Sequence, residues 1–257
     1  MSANPPSPPN DANGKPDYTT LDFPAAPDGR PYVILNMVAS LDGKVSVAGT
    51  ERGLGSPADQ RLMRELRVHV DVVLNGAGTL RASGTSSRLD AEELEALRRS
   101  RGLSRQPVSA VISRSGNLPL ERAFFTQLED FDALVYLCET APPERRRAIA
   151  ATGRTIVDLP QGDEVRAALA HMREELDAKL LLVEGGPTIN GELFRLNLID
   201  EFFLTLGPIV VGGRGGLTAV ENDTTPSLES LQRLALIRAL PNPETGEIYL
   251  RYRVLRD

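Results

Sequence analysis

Six short apolar runs recur along the first two thirds of this chain, and their spacing constrains the fold more than any other feature. Residues 32–38, 70–74, 107–112, 133–137, 155–159 and 180–183 are rich in Val, Ile, Leu and Ala without strict alternation of apolar and polar positions. Strands of that kind are covered on both faces, as in a parallel sheet held between helices. Helical patterns fit between the runs. Ser56-Pro57-Ala58-Asp59 supplies an N-cap, a first-turn proline and a capping-box acid, and Leu62, Leu66 and Val70 give the inward stripe. Asp90 and Glu93 open a second helix that Gly102 stops. Residues 163–176 form another, and Pro187 starts a short one running to about residue 196.

The C-terminal part changes character. Residues 201–211, 234–240 and 247–255 read as strands, the last two joined through the turn composition of residues 241–246. Ile248, Leu250, Tyr252 and Val254 alternate with Tyr249, Arg251 and Arg253, as in a half-exposed antiparallel strand. The expected class is α/β: a mixed, mostly parallel sheet flanked by helices, with an antiparallel C-terminal end. A chain of 257 residues suits one large domain, and 41% hydrophobic and 25% charged residues suffice for a full core. Residues 1–20 read as a disordered tail, with five prolines by residue 17 and few large apolar side chains to offset the entropy of ordering. That leaves 21–257 as a single domain.

Charge and composition exclude several functions. A net charge of −6 argues against nucleic acid and anionic membranes as partners. With one cysteine, Cys138, neither an intrachain disulfide nor a thiolate metal site can form. His69 and His171 lie in helical segments without ligand spacing, so they read as surface or helix-packing residues and no metal is expected. No signal peptide or transmembrane run is visible, which points to a soluble, cytoplasmic protein.

Four segments carry the chemistry, each at the end of an apolar run, where open α/β sheets bind ligands. Asn36-Met37-Val38-Ala39-Ser40-Leu41-Asp42-Gly43-Lys44 ends a strand in a turn with one acid and one of only three lysines. Asn75-Gly76-Ala77-Gly78-Thr79 follows the second run; its glycines allow backbone approach to a phosphate, although it is not a full GxGxxG dinucleotide motif. Ser113-Arg114-Ser115-Gly116 offers hydroxyls and a guanidinium suited to the 2′-phosphate of NADPH. Val183-Glu184-Gly185-Gly186-Pro187-Thr188 sets an acid where a strand gives way to a helix start, whose free N–H groups suit a diphosphate. A carboxylate there requires a partner, either a ligand or an arginine.

In this order and spacing the segments resemble the reductase domain of the riboflavin-biosynthesis pyrimidine reductases. The resemblance rests on Ser40 to Lys44, on Ser56-Pro57 with Arg67, on Gly76 to Thr79 and on Val183 to Thr188. It extends to Leu198-Ile199-Asp200-Glu201 and to Pro208 with Gly212-Gly213. It implies a dihydrofolate-reductase-like fold, NADPH as cofactor, a homodimer, and a ribosylaminopyrimidine 5′-phosphate as substrate. The ribose would open and hydride from C4 of the nicotinamide would reach C1′. The resemblance implies that Val38, Gly53, Gly78, Thr79, Ser83, Ser113, Arg114, Gly185, Gly186, Pro187, Thr188 and Ile189 meet the cofactor. Asp42, Lys44 and Glu184 would be catalytic, and Glu51, Arg67, Arg88 and Glu184 would bind substrate, with Arg67 or Arg88 clamping the phosphate.

Several positions depart from the family pattern. An Ala-Asp-Asp/Asn-Pro-x-Leu stretch usually follows Gly-x-Gly-Thr; residues 80–89 lack its proline, and Ser83 replaces its first acid. Gly53 stands where an aromatic is frequent, and Glu51 stands near a usual substrate contact. The zinc deaminase signature of many bacterial members is absent. Two other readings therefore stand beside the first: a same-fold NADPH reductase of dihydrofolate, a pterin-like compound or another acceptor, and a non-catalytic NADPH-binding protein.

Overall fold

A computed structural model of the protein describes residues 16–84, 86–223, 227–228 and 231–256. The six runs form strands β1 (Tyr32–Ser40), β2 (Val72–Gly76), β3 (Val108–Ser113), β4 (Ala133–Cys138), β5 (Thr155–Leu159) and β6 (Leu180–Val183). They are joined by β7 (Glu201–Gly207), β8 (Leu234–Pro241) and β9 (Ile248–Val254) in one nine-stranded sheet of order β5-β4-β3-β2-β6-β1-β7-β9-β8. Pairing is parallel from β5 across to β7 and antiparallel at β7–β9 and β9–β8. The mixed α/β architecture expected from the pattern is the one observed.

The continuous runs feed two cores because neighbouring strand residues point to opposite faces. From β1, Val33 and Leu35 enter the core beneath helices α6 (Glu164–Glu174) and α7 (Pro187–Arg195). Ile34 enters the opposite core, beneath helix α1 (Pro57–Arg67), with Leu62 and Leu66. Phe124, Phe125 and Phe131 form a further cluster over β3 and β4. Shorter helices α2 (Ala77–Ser83), α3 (Glu92–Ser100), α4 (Ala123–Thr126) and α5 (Pro143–Ala150) complete the connections. No helix among the described residues is long and apolar enough to cross a membrane.

Three sequence expectations are corrected. The tail does not extend to residue 20. Tyr18–Thr20 forms a helical turn, Tyr18 is buried against Phe203, and its N–H donates to Glu65. Residues 1–15 lie outside the described residues. Next, β7 stops at Gly207 and does not reach 211, because Pro208 has no N–H for the ladder and a Cβ at Gly207 would sit 2.2 Å from the Leu54 carbonyl oxygen. This strand lies between β1 and β9. On β9 Tyr249 and Arg251 are buried as well as Val254, and Glu201 pairs with Arg251 at 2.7 Å under the rings of Phe23 and Phe203. Lastly, α3 begins two residues after Asp90, which takes a left-handed φ of 48°. Asp200, from the Leu198 to Glu201 motif, ties strands together: it accepts from the Val33 N–H at 2.7 Å and from Arg30 and Arg256.

Candidate active site

A cavity of about 730 Å³ opens at the carboxyl ends of β1, β2, β3 and β6. The sheet separates its two flanks. On the α7 flank the chain contributes mainly backbone. The Gly76 N–H donates to the Gly185 carbonyl at 2.6 Å and the Glu184 N–H to Leu74 at 3.1 Å, which binds the ends of β2 and β6 together. Gly185 and Gly186 are joined by a cis peptide, and Gly185 has φ +95°. A Cβ on Gly76 would lie 3.1 Å from the Gly186 nitrogen, and one on Gly186 would lie 3.1 Å from Thr79 Oγ1. Glycine is needed here for close backbone approach. Helix α7 begins at Pro187 with no side chain capping it, so its first N–H groups face the cavity end unclaimed by a cap. Ile189, Thr188 and Thr79 line the same flank, as do Gly78 and Ser83, whose hydroxyl donates to the Thr79 carbonyl.

At the far rim stand Ser113 and Arg114. The Ser113 hydroxyl accepts from the Gly116 N–H at 3.0 Å and shapes the turn. The Arg114 guanidinium donates to Glu164 at 2.8 Å, and this bond raises its pKa. Its side chain remains 75% exposed, so an arriving anion can reach it.

The α1 flank is built from side chains. Asp59, Met63 and Arg67 succeed one another at four-residue steps on α1, and all three line the cavity. Arg67 is buried and donates through Nε and Nη2 to both oxygens of Glu184, at 2.7 and 2.8 Å; Nη1 donates to the Arg88 carbonyl. The partner that Glu184 requires is thus an arginine. Asn75 also lines this cavity: its Nδ2 donates to Ser87, and its Oδ1 has no hydrogen-bond partner among the described residues.

Asp59 is not the capping-box acid the sequence suggests. The Ser56 hydroxyl caps Ala58 and Asp59 as expected, but the Ser56 N–H and hydroxyl both donate to Glu247, at 2.6 and 2.7 Å. Glu247, from the other end of the chain, takes the reciprocal place. The Asp59 carboxyl instead folds over Gly55, where a Cβ would lie 2.2 Å from Oδ2, and it accepts from Thr205. Burial raises its pKa to about 6; the Thr205 hydroxyl works against this and the Glu247 carboxylate adds to it.

The cavity gathers Val38, Gly78, Thr79, Ser83, Ser113, Arg114, Gly185, Gly186, Pro187, Thr188 and Ile189 from the expected cofactor residues, and Glu51, Arg67 and Glu184 from the rest. Four expected residues lie outside its lining. Asp42 accepts from Ser40 and from the N–H groups of Val211 and Gly212, bonds that lower its pKa to about 2, and so fastens the segment after β7. Lys44 donates to the Gly216 carbonyl at 3.1 Å, beside Val45 and Leu217 of the cavity wall. The Arg88 side chain turns away to Asp90 and Asp130. Gly53 sits in an exposed turn with φ +88°. Arg67, expected to clamp a phosphate, gives its donors here to Glu184, Arg88 and Met63. Sequence reasoning missed Met63 and Glu164, and gave Asn75 no role although it stood in a quoted segment as a polar residue closing a buried run.

A parallel sheet with a cleft beyond its strand ends, backbone on one flank and buried polar side chains on the other, defines an α/β protein of the ligand-binding cleft type. The chain belongs to the RibD C-terminal domain family, whose model matches residues 31–240. It is 29% identical over 196 residues to the 2,5-diamino-6-ribosylamino-4(3H)-pyrimidinone 5′-phosphate reductase of Archaeoglobus fulgidus, covering 76% of this chain and 88% of the relative. It is 28% identical over 211 residues to the riboflavin biosynthesis protein RibD of Escherichia coli, covering 79% of this chain and 54% of that protein. Among solved structures, a pyrimidine reductase-like protein from Corynebacterium diphtheriae shares the fold, with TM-score 0.78 and 22% identity, over 88% of this chain and 93% of that one.

Proposed function

We propose that the protein is an NADPH-dependent reductase of a ribosylaminopyrimidine 5′-phosphate, giving the ribitylamino product. The observation that carries this reading is the two-flanked cavity, with a glycine cradle on one side of the strand ends and a buried polar wall on the other. The cradle fits a dinucleotide. Gly185, Gly186, Pro187 and Thr188 would hold the diphosphate against the start of α7, with Thr79 beside it. Ser113 and Arg114 would meet the 2′-phosphate, and Val38 and Ile189 would flank the nicotinamide. When bound, the reduced nicotinamide supplies the hydride. The residues of the chain orient the two molecules across the strand ends and exclude water, which is most of what hydride transfer asks of a protein. The name of the Archaeoglobus relative, matched along most of its length, supports the diaminopyrimidinone as substrate.

Arg81, Ala82 and Ser83 of the departing segment line the cavity, and this favours a second reading, a same-fold reductase of another acceptor. One experiment separates the two. NADPH oxidation is followed with the diamino and the deaminated ribosylaminopyrimidine phosphates and with dihydrofolate, side by side. Turnover confined to the ribosyl compounds supports the first reading; turnover of dihydrofolate alone supports the second. NADPH binding without any turnover would leave a non-catalytic cofactor-binding protein.

The reading extends to a single reductase domain, a homodimer and the cytoplasm. The edge strand β8, with Leu236 exposed and Leu231 exposed just before it, offers a surface for a second copy. Sedimentation at micromolar concentration tests this, and a monomer would reject it. The lone, buried Cys138 suits a reducing compartment.

A further inference from the structure

We propose that Asp59 is the proton donor of this cavity, delivering to the furanose O4′ the proton it needs when the sugar ring opens. The inference rests on the functional reading above. Reduction at C1′ of an N-riboside needs the C1′–O4′ bond to break. The exocyclic nitrogen lone pair forms a C1′=N bond as O4′ departs, and O4′ takes a proton to leave as a hydroxyl. Hydride from the reduced nicotinamide then adds to C1′, the C=N electron pair returns to nitrogen, and the nicotinamide is oxidised. Hydride and carbon are accounted for by cofactor and substrate; the proton must come from a group on the wall.

The wall holds few candidates. Among the described residues, no histidine, cysteine, tyrosine or lysine lines the cavity. Arginines are too basic to donate. Among the lining carboxyls, Glu184 is spent on Arg67, Glu164 on Arg114 and Glu192 on Arg195, and Glu51 is exposed to solvent. Asp59 is the one that is buried, at 9% exposure, and has no cationic partner among the described residues. The groups facing it are the Glu247 carboxylate ahead of β9, the Tyr18 phenol of the N-terminal turn and the Thr205 hydroxyl of β7, none of them a cation. Thr205 is the register partner of Val38, so the carboxyl hangs over the ends of β1 and β7 on the α1 flank, opposite the glycine cradle. A carboxyl held there keeps its proton into the range where an enzyme can use it, since an unpaired, dehydrated carboxylate beside another carboxylate is disfavoured.

The test is single-turnover hydride transfer from about pH 5 to about pH 9 with the ribosylaminopyrimidine phosphates, in wild type, Asp59→Asn and Thr205→Val. In parallel, the ¹³C carboxyl shift of Asp59 is followed in the cofactor-free protein. The wild-type rate should fall about tenfold per pH unit above a break near the carboxyl titration seen by NMR. Asp59→Asn should slow transfer by about a hundredfold or more and flatten that limb. Thr205→Val removes a donor to the carboxylate, so both the break and the NMR titration should move to higher pH. Transfer in Asp59→Asn at the wild-type rate, or Thr205→Val with an unmoved break, overturns the assignment. A wild-type protein that turns over neither ribosyl compound removes the functional reading, and this inference with it.

Discussion

The two flanks of the cavity are built from different materials. The α7 flank is a contiguous stretch of backbone: Gly185, Gly186, Pro187 and Thr188 sit in a row, with Gly76 and Thr79 facing them. The α1 flank is assembled from side chains far apart in sequence, among them Asp59, Arg67, Glu184, Thr205 and Glu247. Backbone recognises what every dinucleotide has in common, and it tolerates no added atoms. Side chains discriminate and titrate, and they must be paired or kept neutral when buried. The contrast matches a common cofactor on one flank and a particular substrate on the other.

The largest expected effect is on the α1 flank. Arg67→Ala leaves Glu184 buried beside an empty site, so denaturant unfolding should show a loss of about 3–5 kcal/mol. The double variant Arg67→Ala, Glu184→Gln should recover part of that loss. A single variant as stable as wild type would mean that the pair is not held together in solution.

Gly186→Val should act differently, through binding and not folding. Its Cβ would meet Thr79 Oγ1 at 3.1 Å, and the added methyls would occupy the cradle. Calorimetry should show NADPH affinity reduced by about a hundredfold, roughly 2.7 kcal/mol. Full affinity in a folded variant would remove the cradle from the cofactor's path.

Away from the cavity, the α1 face of the sheet should also be pH-sensitive. His69 donates to the Tyr18 carbonyl at 2.7 Å and accepts from Arg101 at 3.1 Å, and burial lowers its pKa to about 4. A depressed histidine contributes stability that is complete above its unfolded value of about 6.5 and is lost as pH falls toward 4. Asp59, raised to about 6, contributes the opposite slope over its own range, so the difference between wild type and His69→Asn isolates the histidine. Unfolding measured at a series of pH values should show that difference shrinking by about 2 kcal/mol on acidification. A constant difference would count against a neutral His69.

The smallest effect belongs to the rim. Arg114→Gln should lower the preference for NADPH over NADH by about tenfold, roughly 1.4 kcal/mol, because Arg114 already shares its charge with Glu164. Unchanged preference would move the 2′-phosphate elsewhere.

The same contrast explains what the sequence made legible. Strands β1 to β6 were readable because each is a local apolar run, and the cradle because its residues adjoin one another. The end of β7 was not, since Ile209, Val210 and Val211 remain apolar past the point where Pro208 and the approach of Leu54 close the ladder. The burial of Arg251 was not legible, because its partner, Glu201, is 50 residues away. Asp59 read as a cap because local spacing cannot reveal that Glu247 already fills that place. Asp42 and Lys44 stood in a recognisable motif, yet their bonds go to the segment that crosses above them, which only the fold brings near.

The most direct test of hydride passing from the α7 flank to the α1 flank uses NADPH deuterated at C4 on the transferred face. It is incubated with the diaminopyrimidinone ribosyl phosphate, and the product is read by mass spectrometry and NMR. One deuterium at C1′ of a ribitylamino product, matched by one equivalent of NADP⁺, is the expected result. Oxidised cofactor without deuterium at C1′, or substrate recovered unchanged at full NADPH occupancy, would contradict it.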